Sequence, residues 1–251
     1  MANIIEIIDL HKSFREQKVL DGVNLEIEEG KTTVIIGRSG GGKSVLLKHI
    51  IRLLKPDSGQ VLIDGTDITT LNDRDLNEIR KKFGMLFQES ALFDSMNVGE
   101  NVAFPLREQT KMKDDEIKKI VADRLRAVGL TGIEDKMPSE LSGGMRKRVG
   151  LARAIAMHPQ MVLFDEPTTG LDPIMTEAIN NLIIDTQKNF NLTSIVISHD
   201  VASIFKIGHK IAMLHEGKIV EYGTPEEIRK SKNPVLEQFL SGNTEGPIKV
   251  I

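Results

Sequence analysis

The chain contains 251 residues, a length that fits one large domain or two small ones and excludes a long multidomain assembly. Lysine and arginine total 33 against 36 aspartates and glutamates, so the formal charge of -3 does not favour general nucleic-acid binding. A composition of 40% hydrophobic and 27% charged residues is typical of a folded globular protein. The absence of cysteine excludes disulfides, thiolate metal sites and a cysteine nucleophile.

The N-terminus lacks the basic flank and apolar stretch of a secretory signal, and no segment reaches the roughly 18 apolar residues of a membrane span. The sequence therefore predicts neither export nor a membrane-spanning helix. Nine phenylalanines, one tyrosine and no tryptophan make an aromatic platform for sugars or single-stranded nucleic acid unexpected.

The first sixty residues alternate short apolar segments with turns. Strands are predicted at residues 4–10, 23–27 and 34–36, and the second shows strict alternation of apolar and polar residues. A glycine-rich loop then leads into a helix that is predicted over residues 44–54. This order of strand, loop and helix indicates an α/β fold.

The pattern becomes mostly helical from about residue 73 to residue 157, although an apolar strand is predicted at 83–87. Apolar spacing predicts a helix around residues 117–128, and Asp114 is expected to cap it. A helical insertion is therefore expected within the α/β fold.

Strands and helices alternate again after the insertion. Strands are predicted at 161–164 and 194–197, with a helix over 174–190 between them, and a hairpin follows at 210–222. Pro225 begins a short helix. The tail after Ser241 either frays, as chain ends usually do, or packs an apolar end on a partner subunit through Ile248, Val250 and Ile251.

The segment from Gly37 to Ser44 reads G-x-x-x-x-G-K-[ST] between a predicted strand and a predicted helix. Such a loop presents backbone N–H groups and a helix N-terminus to a phosphate, while Lys43 adds a cation and Ser44 a hydroxyl suited to Mg²⁺. A chance match in a chain of this length has a probability on the order of 1%. A nucleotide is expected to contact Gly37, Arg38, Ser39, Gly40, Gly41, Gly42, Lys43, Ser44 and Val45.

Two adjacent carboxylates, Asp165 and Glu166, follow the apolar strand at 161–164. Adjacent residues of a strand point to opposite sides, so the two carboxylates can have different roles. Asp165 is expected to hold Mg²⁺ through a water molecule, and Glu166 is expected to polarise an attacking water. The alternative is a charged end on a buried strand.

A second helix N-terminus is predicted at Ser142, which precedes two glycines and is a good N-cap. The simpler interpretation is an ordinary helix start. Helix N-termini also bind phosphate, however, and the phosphate loop already supplies one. A second one suggests that it serves a nucleotide on another subunit.

In this order the motifs resemble those of ATP-binding cassette (ABC) transporter subunits, over about residues 4–225. The resemblance implies an α/β P-loop NTPase fold with a RecA-like core, an N-terminal antiparallel β subdomain and a helical signature subdomain. It implies one ATPase domain over residues 1–240, with the helical subdomain inserted at about 89–160 and a tail at 241–251.

The same resemblance assigns roles to single residues. Glu166, His199 and Gln88 are the implied catalytic residues, and Ser44, Gln88 and Asp165 the implied Mg²⁺ ligands. Phe14 is implied to stack on adenine, although a core position is the alternative. The implied trans-acting signature is Leu141, Ser142, Gly143, Gly144 and Met145, and the D-loop is Leu171 and Asp172. From the residues alone, Gln88 and His199 are equally compatible with ordinary polar loop positions.

Three features depart from the family pattern: Met145 replaces the usual glutamine, Gly170 stands where alanine is common, and residues 146–148 are all basic. None removes a phosphate ligand, so ATP hydrolysis is still expected. An apolar groove for a permease helix is expected after Gln88, formed by Leu92, Phe93, Met96 and Phe104, unless these side chains only pack the helical insertion.

The segments Ala-Leu-Phe-Asp-Ser and Glu-Asn-Val-Ala-Phe-Pro-Leu, with the signature helix, resemble the Mla-type ATPases of bacterial phospholipid transport. This implies a peripheral protein on the cytoplasmic face of the inner membrane. Its implied partners are a second copy in a head-to-tail dimer, a membrane permease, an MCE-domain lipid-binding protein and, in some members, a STAS-domain protein, with no nucleic acid. Another cargo, or a non-transport assembly ATPase, remains the alternative.

Overall fold

In the computed structural model, which describes residues 2–249, the chain divides into two units. The first unit comprises the residues up to Ile79 and those from Ile195 onward, and the second is Arg80–Ser194. Among the described residues no helix is both long and apolar enough to span a bilayer.

An antiparallel sheet begins the first unit, in the order β2-β1-β4-β5. Its register places Ile5 opposite both Ile27 and Ile63, and all three side chains are fully buried. The alternation predicted for residues 23–27 is confirmed, since the apolar residues are buried and the polar ones between them are exposed. The strands are β1 (Asn3–Phe14), β2 (Gln17–Glu28), β4 (Ser58–Ile63) and β5 (Thr66–Asp67).

A second set of strands in this unit runs in the order β10-β9-β3-β8. β3 and β9 are parallel, and β9 and β10 form the predicted hairpin. The five residues of β3 are all buried, which explains its uninterrupted apolar run. The strands are β3 (Thr32–Ile36), β8 (Thr193–Ile197), which crosses the unit boundary, β9 (Lys210–His215) and β10 (Lys218–Gly223).

The helices of the first unit include α1, Lys43–Ile50, which is shorter than the predicted helix over 44–54. The backbone turns at Arg52, whose left-handed φ of 47° ends the helical hydrogen-bond pattern. The other helices are α2 (Asp73–Arg80), which reaches into the second unit by one residue, α7 (Val201–Ile207), α8 (Pro225–Lys230) and α9 (Pro234–Ser241).

The second unit combines the parallel strand pair β6 (Phe83–Leu86) and β7 (Met161–Asp165) with a group of helices. Its helices are α3 (Val98–Gln109), α4 (Asp114–Ala127), a 3₁₀ turn at Pro138–Glu140, α5 (Gly143–Ala154) and α6 (Pro173–Phe190). Helices α3, α4 and α5 pack together, and their buried residues include Val102, Val121 and Val149. The helical insertion is therefore confirmed.

The predicted cap of α4 was wrong by one position. Asp114 is the first helical residue, and Lys113 is the N-cap. The carboxylate of Glu116 accepts a hydrogen bond from the Lys113 backbone N–H at 3.0 Å. Glu116 thus completes the helix start, while Asp114 contributes charge at the positive end of the helix dipole.

The tail folds back on α9 as far as the structure describes it. The Gln238 amide accepts a hydrogen bond from the Ile248 backbone N–H at 2.6 Å and donates one to the Ile248 carbonyl at 3.0 Å. A frayed tail is therefore not found up to Lys249. Val250 and Ile251, the other members of the apolar end, lie outside the described residues.

Candidate functional site

The phosphate loop connects β3 to α1 in the first unit, as the sequence predicts. Gly42 is the N-cap of α1 and has a left-handed φ of 94°. A Cβ at this position would lie 3.0 Å from both Cγ1 and the carbonyl oxygen of Val19, so glycine is needed for space as well as for conformation. The helix start therefore faces the loop with no side chain in between.

The ammonium of Lys43 closes the loop on itself. Its Nζ donates to the carbonyl oxygens of Gly37 at 2.8 Å and Arg38 at 2.9 Å, and the side chain is buried. The Gly41 N–H also donates to the Arg38 carbonyl, at 3.0 Å. These contacts preform a turn whose cation lies next to the helix N-terminus, and the first turn of α1 carries no carboxylate that would repel an anion.

A cavity of about 600 Å³ lies beside this loop within the first unit. Its size is typical of small-ligand sites. Lys18, Arg38 and Lys249 bring basic groups to its wall, against the carboxylate of Glu216. The cavity therefore combines volume, positive charge and the phosphate loop, which are the properties that an anionic nucleotide requires.

Phe14 and His199 are the other predicted site residues of the first unit. Phe14 is the last residue of β1 and is 44% exposed, which excludes the core position that was its alternative. The Lys12 ammonium lies 5.6 Å from the centre of its ring. His199 follows the end of β8 with an exposed side chain, as predicted, and the preceding Ser198 N–H donates to the Ile35 carbonyl at 3.3 Å.

The two carboxylates lie at the end of β7 in the second unit, but not as neighbours on a strand. The strand ends at Asp165, and Glu166 begins a turn with a left-handed φ of 48°. The direction of the Glu166 side chain is thus set by that turn. The expectation that Asp165 and Glu166 point to opposite sides because they are adjacent on a strand was wrong. The Thr169 hydroxyl donates to the Glu166 carboxylate at 2.9 Å and fixes it. A left-handed non-glycine residue stores about 1–3 kcal/mol of strain, and the hydrogen bond from Thr169 is one contact that holds Glu166 in this conformation.

The signature begins helix α5 as predicted. Ser142 is the N-cap, and its hydroxyl accepts from the Met145 N–H at 3.3 Å. Ser142 is exposed, whereas Leu141 and Gly144 are buried. A Cβ at Gly144 would lie 2.2 Å from the Met175 Cε atom. The signature is therefore packed against the start of α6, with its serine accessible.

The D-loop lies at that same place in the second unit. Asp172 is the N-cap of α6 and accepts hydrogen bonds from Ile174 N–H at 2.9 Å and Met175 N–H at 3.0 Å. The Leu171 side chain lies near Gly143, because a Cβ there would be 3.8 Å from its Cδ2 atom. The structure thus brings signature and D-loop together, which the sequence did not predict from spacing.

Gln88 follows β6 with an exposed side chain, which fits both the ligand role and an ordinary polar loop position. Its main-chain carbonyl accepts a hydrogen bond from the Lys147 Nζ at 3.2 Å. Lys147 is buried, and burial lowers the pKa of its ammonium, while Glu166 and Glu89 act in the opposite direction. No sequence pattern indicates that this lysine lies near Gln88, since a run of charged residues usually lies in solvent.

The expected apolar groove is formed in part. The rings of Phe93 and Phe104 lie 4.7 Å apart and line a cavity of about 380 Å³ in the second unit. Leu92 and Met96 are half-buried outside its lining. The other apolar walls come from Phe83, Met85, Phe87, Ala91, Pro105 and Met157.

A buried asparagine shapes the mouth of this groove. The Asn101 side chain accepts from the Phe93 N–H at 2.8 Å and donates to the Phe93 and Met96 carbonyls at 3.1 and 3.0 Å. Asn101 is fully buried. The loop that carries Phe93 is therefore held in one conformation rather than left to collapse.

Comparison with known proteins agrees with these features. The family model described as ABC transporter matches residues 20–169. The probable ribonucleotide transport ATP-binding protein mkl of Mycobacterium leprae is 46% identical, over 99% of this chain and 72% of that protein. The intermembrane phospholipid transport system ATP-binding protein MlaF of Haemophilus influenzae is 44% identical, over 98% of this chain and 94% of that protein.

Among solved structures, the dimeric post-hydrolysis state of the ATP-binding cassette MJ0796, bound to ADP and Pi, is similar with a TM-score of 0.80. The two sequences are 32% identical, and the match covers 88% of this chain and 98% of that one. The α/β P-loop fold, the phosphate loop with its basic cavity and these matches lead to one conclusion. The chain belongs to the ABC transporter family, as an ATP-binding subunit that hydrolyses ATP.

Proposed function

We propose that this chain powers phospholipid transport between bacterial membranes through a separate permease. This proposal is based on the match to MlaF, which spans nearly the whole length of both proteins. The name of the Mycobacterium leprae relative makes ribonucleotides the second candidate cargo. That match covers a smaller share of the relative, so phospholipid is the better supported cargo.

In this proposal the phosphate loop, residues 37–45, binds the ATP phosphates through backbone N–H groups and the helix α1 dipole. The Lys43 ammonium exchanges its carbonyl partners for phosphate oxygens, and Phe14 stacks on adenine. Glu166 accepts the proton of the attacking water, and His199 contacts the γ-phosphate.

The proposed Mg²⁺ ligands are chemically suited to that ion. Ser44, Gln88 and Asp165 offer a hydroxyl, an amide oxygen and a carboxylate, all hard oxygen donors. In the proposal Asp165 acts through a water molecule. Mg²⁺, when bound, neutralises charge that develops on the β- and γ-phosphates.

A second copy of the chain is the proposed partner for the signature, Leu141 to Met145. The Ser142 side chain is exposed at a helix N-terminus, a position suited to contact phosphate on another subunit. Ile174, two residues after the D-loop aspartate, is 81% exposed although it is apolar. An accessible phosphate-binding helix end beside such an apolar side chain fits a head-to-tail contact between copies.

A membrane permease is the proposed partner of the Phe93–Phe104 groove, which is open, apolar and held in shape by Asn101. The wider assembly that we propose contains an MCE-domain lipid-binding protein and, in some forms, a STAS-domain protein. The chain would then work at the cytoplasmic face of the bacterial inner membrane, peripherally.

Phe93→Asp is expected to weaken association with the permease by roughly 10- to 100-fold, because about 1.5–3 kcal/mol of apolar burial is lost. Co-purification of tagged ATPase with the permease from detergent-solubilised membranes measures the effect. Leu53→Asp is the matched control, since Leu53 is an exposed apolar residue of the first unit. Equal permease recovery with Phe93→Asp and wild type would exclude this groove as the docking site.

The cargo is tested with the purified complex in vesicles that contain a fluorescent phospholipid. ATP is expected to drive phospholipid transfer, and Lys43→Ala is expected to abolish it because the phosphate loop loses its cation. Ribonucleotides are tested in parallel as a transported solute. ATP-driven ribonucleotide movement without phospholipid transfer would overturn the proposed cargo and leave the ATPase assignment intact.

A further inference from the structure

Two basic side chains of α5 hold the backbone of the loop that follows Gln88. Lys147 Nζ donates to the Gln88 carbonyl at 3.2 Å. The Arg153 guanidinium donates to the carbonyls of Ser90 at 2.7 Å and Ala91 at 2.8 Å. Three carbonyls in four residues are therefore bound by the helix that begins at Ser142.

The loop does not hold this shape by its own preference. Ser90 and Ala91 are consecutive left-handed residues, with φ of 63° and 45°. Each such non-glycine residue is unfavourable and persists only when the surroundings enforce it. Ser90 is buried, and Arg153, which is half-buried, donates to both carbonyls of the strained pair.

Lys147 and Arg153 lie on one face of α5, with Gly150 midway between them. A Cβ at Gly150 would lie 2.8 Å from the Leu86 Cδ1 atom and 3.2 Å from the Ser90 Cβ atom. Glycine therefore allows the helix to approach the loop closely. Lys147 and Arg153 each lie three residues from Gly150, so their side chains flank this contact and both reach the loop. The helix and the loop form one packed body.

A charged residue at position 147 is costly for stability. Lys147 is only 6% exposed, and taking an ammonium out of water is unfavourable unless partners compensate its charge. The partners that offset the cost are the Gln88 carbonyl and the carboxylates of Glu166 and Glu89.

We propose that Lys147 is a positioning residue for ATP hydrolysis. It ties the Gln88 main chain to the signature helix and places a positive charge near Glu166, so that the Gln88 amide and the Glu166 carboxylate are aligned together. Because the same loop leads to Phe93, permease docking and signature position are linked through this helix. The inference rests on the proposed roles of Gln88, Glu166 and the groove.

Lys147→Met is the direct test, measured as ATPase activity of the complete complex with its permease. We expect kcat to fall by roughly 10- to 100-fold, the size of effect that a small misplacement of reacting groups produces. We expect KM for ATP to stay within about twofold, because the nucleotide phosphates are bound by the first unit. Lys147→Arg, which keeps both charge and donor, should recover most of the activity.

Lys118→Met is the matched control, since Lys118 is an exposed lysine on α4 of the same unit. Thermal unfolding of each variant separates positioning from folding: Lys147→Met leaves the Gln88 carbonyl without its donor and should unfold somewhat earlier than wild type, so kcat is measured well below its unfolding temperature. If that variant does not fold, Lys147→Gln, which donates but is uncharged, replaces it and should lose kcat with KM unchanged.

Wild-type kcat in Lys147→Met, or an arginine variant no more active than the methionine variant, would overturn the inference. If the kcat of Lys147→Met, corrected for the fraction of folded protein, equals the wild-type value, the residue has a structural role only. If Glu166→Gln is inactive while Lys147→Met is fully active, the proposed function stands and only this inference fails.

Discussion

Glu166→Gln is expected to lower the kcat of the assembled complex by at least roughly 100-fold while ATP still binds. The amide keeps the size of the side chain and an oxygen that can accept from the Thr169 hydroxyl, now at 2.9 Å from the carboxylate. It cannot accept a proton from water, and loss of a general base typically costs 10²- to 10⁴-fold. Phosphate release measures turnover, and filter-bound labelled ATP measures binding.

The bound ATP should also hold two copies of Glu166→Gln together, because the sites close but do not hydrolyse. Size-exclusion chromatography with and without ATP detects such a dimer. Glu29→Gln, at an exposed carboxylate that follows β2, is the control for loss of one charge. Turnover at the wild-type rate in Glu166→Gln would remove Glu166 as the base.

Ser142→Arg is the second large effect that we expect, a loss of ATPase activity of roughly 100-fold or more in the complex. The long cationic side chain would fill the space at the start of α5 that a nucleotide phosphate of the second copy needs. It also removes the cap hydroxyl that accepts from Met145 N–H, worth about 0.5–2 kcal/mol. ATP binding to a single chain should persist, since residues 37–45 are unchanged.

Ser142→Thr is the matched variant, because threonine keeps the hydroxyl and is also a good N-cap. It should retain most of the activity. Full hydrolysis by Ser142→Arg would show that the signature does not take part in turnover.

The sequence alone was sufficient to predict features whose chemistry only a few residue types can provide. The phosphate loop lies between β3 and α1 as predicted, since a left-handed cap at Gly42 and a buried strand before it are readable from residue type. Ser142 as an N-cap is predictable for the same reason. These features depend on neighbouring residues only.

Features set by distant contacts were not predictable. Helix α1 ends early at a left-handed Arg52, and Glu166 leaves strand β7 in the same region of conformational space, although neither is glycine. Their conformations depend on the surrounding fold, so no local pattern indicates them. The roles of Gln88 and His199 likewise came from family resemblance, because a polar residue after a strand is common.

The basic run at residues 146–148 shows this limit within the site itself. Three consecutive cations usually indicate a solvated helix face, yet Lys147 is buried while Arg146 is exposed. Only the packing of α5 around Gly150 distinguishes them. The sequence marked the segment as unusual, and the structure gives the physical reason.

In the proposed dimer each ATP site is completed by two copies of the chain, one through its phosphate loop and the other through its signature. Complementation tests this shared site most directly. A Lys43→Ala copy and a Ser142→Arg copy, each with a different affinity tag, are assembled with the permease, and the mixed complex is purified through both tags. Each variant alone should be inactive. The mixed complex should hydrolyse ATP, because one of its two sites pairs an intact Lys43 with an intact Ser142. A mixed complex as inactive as either parent would contradict the shared site.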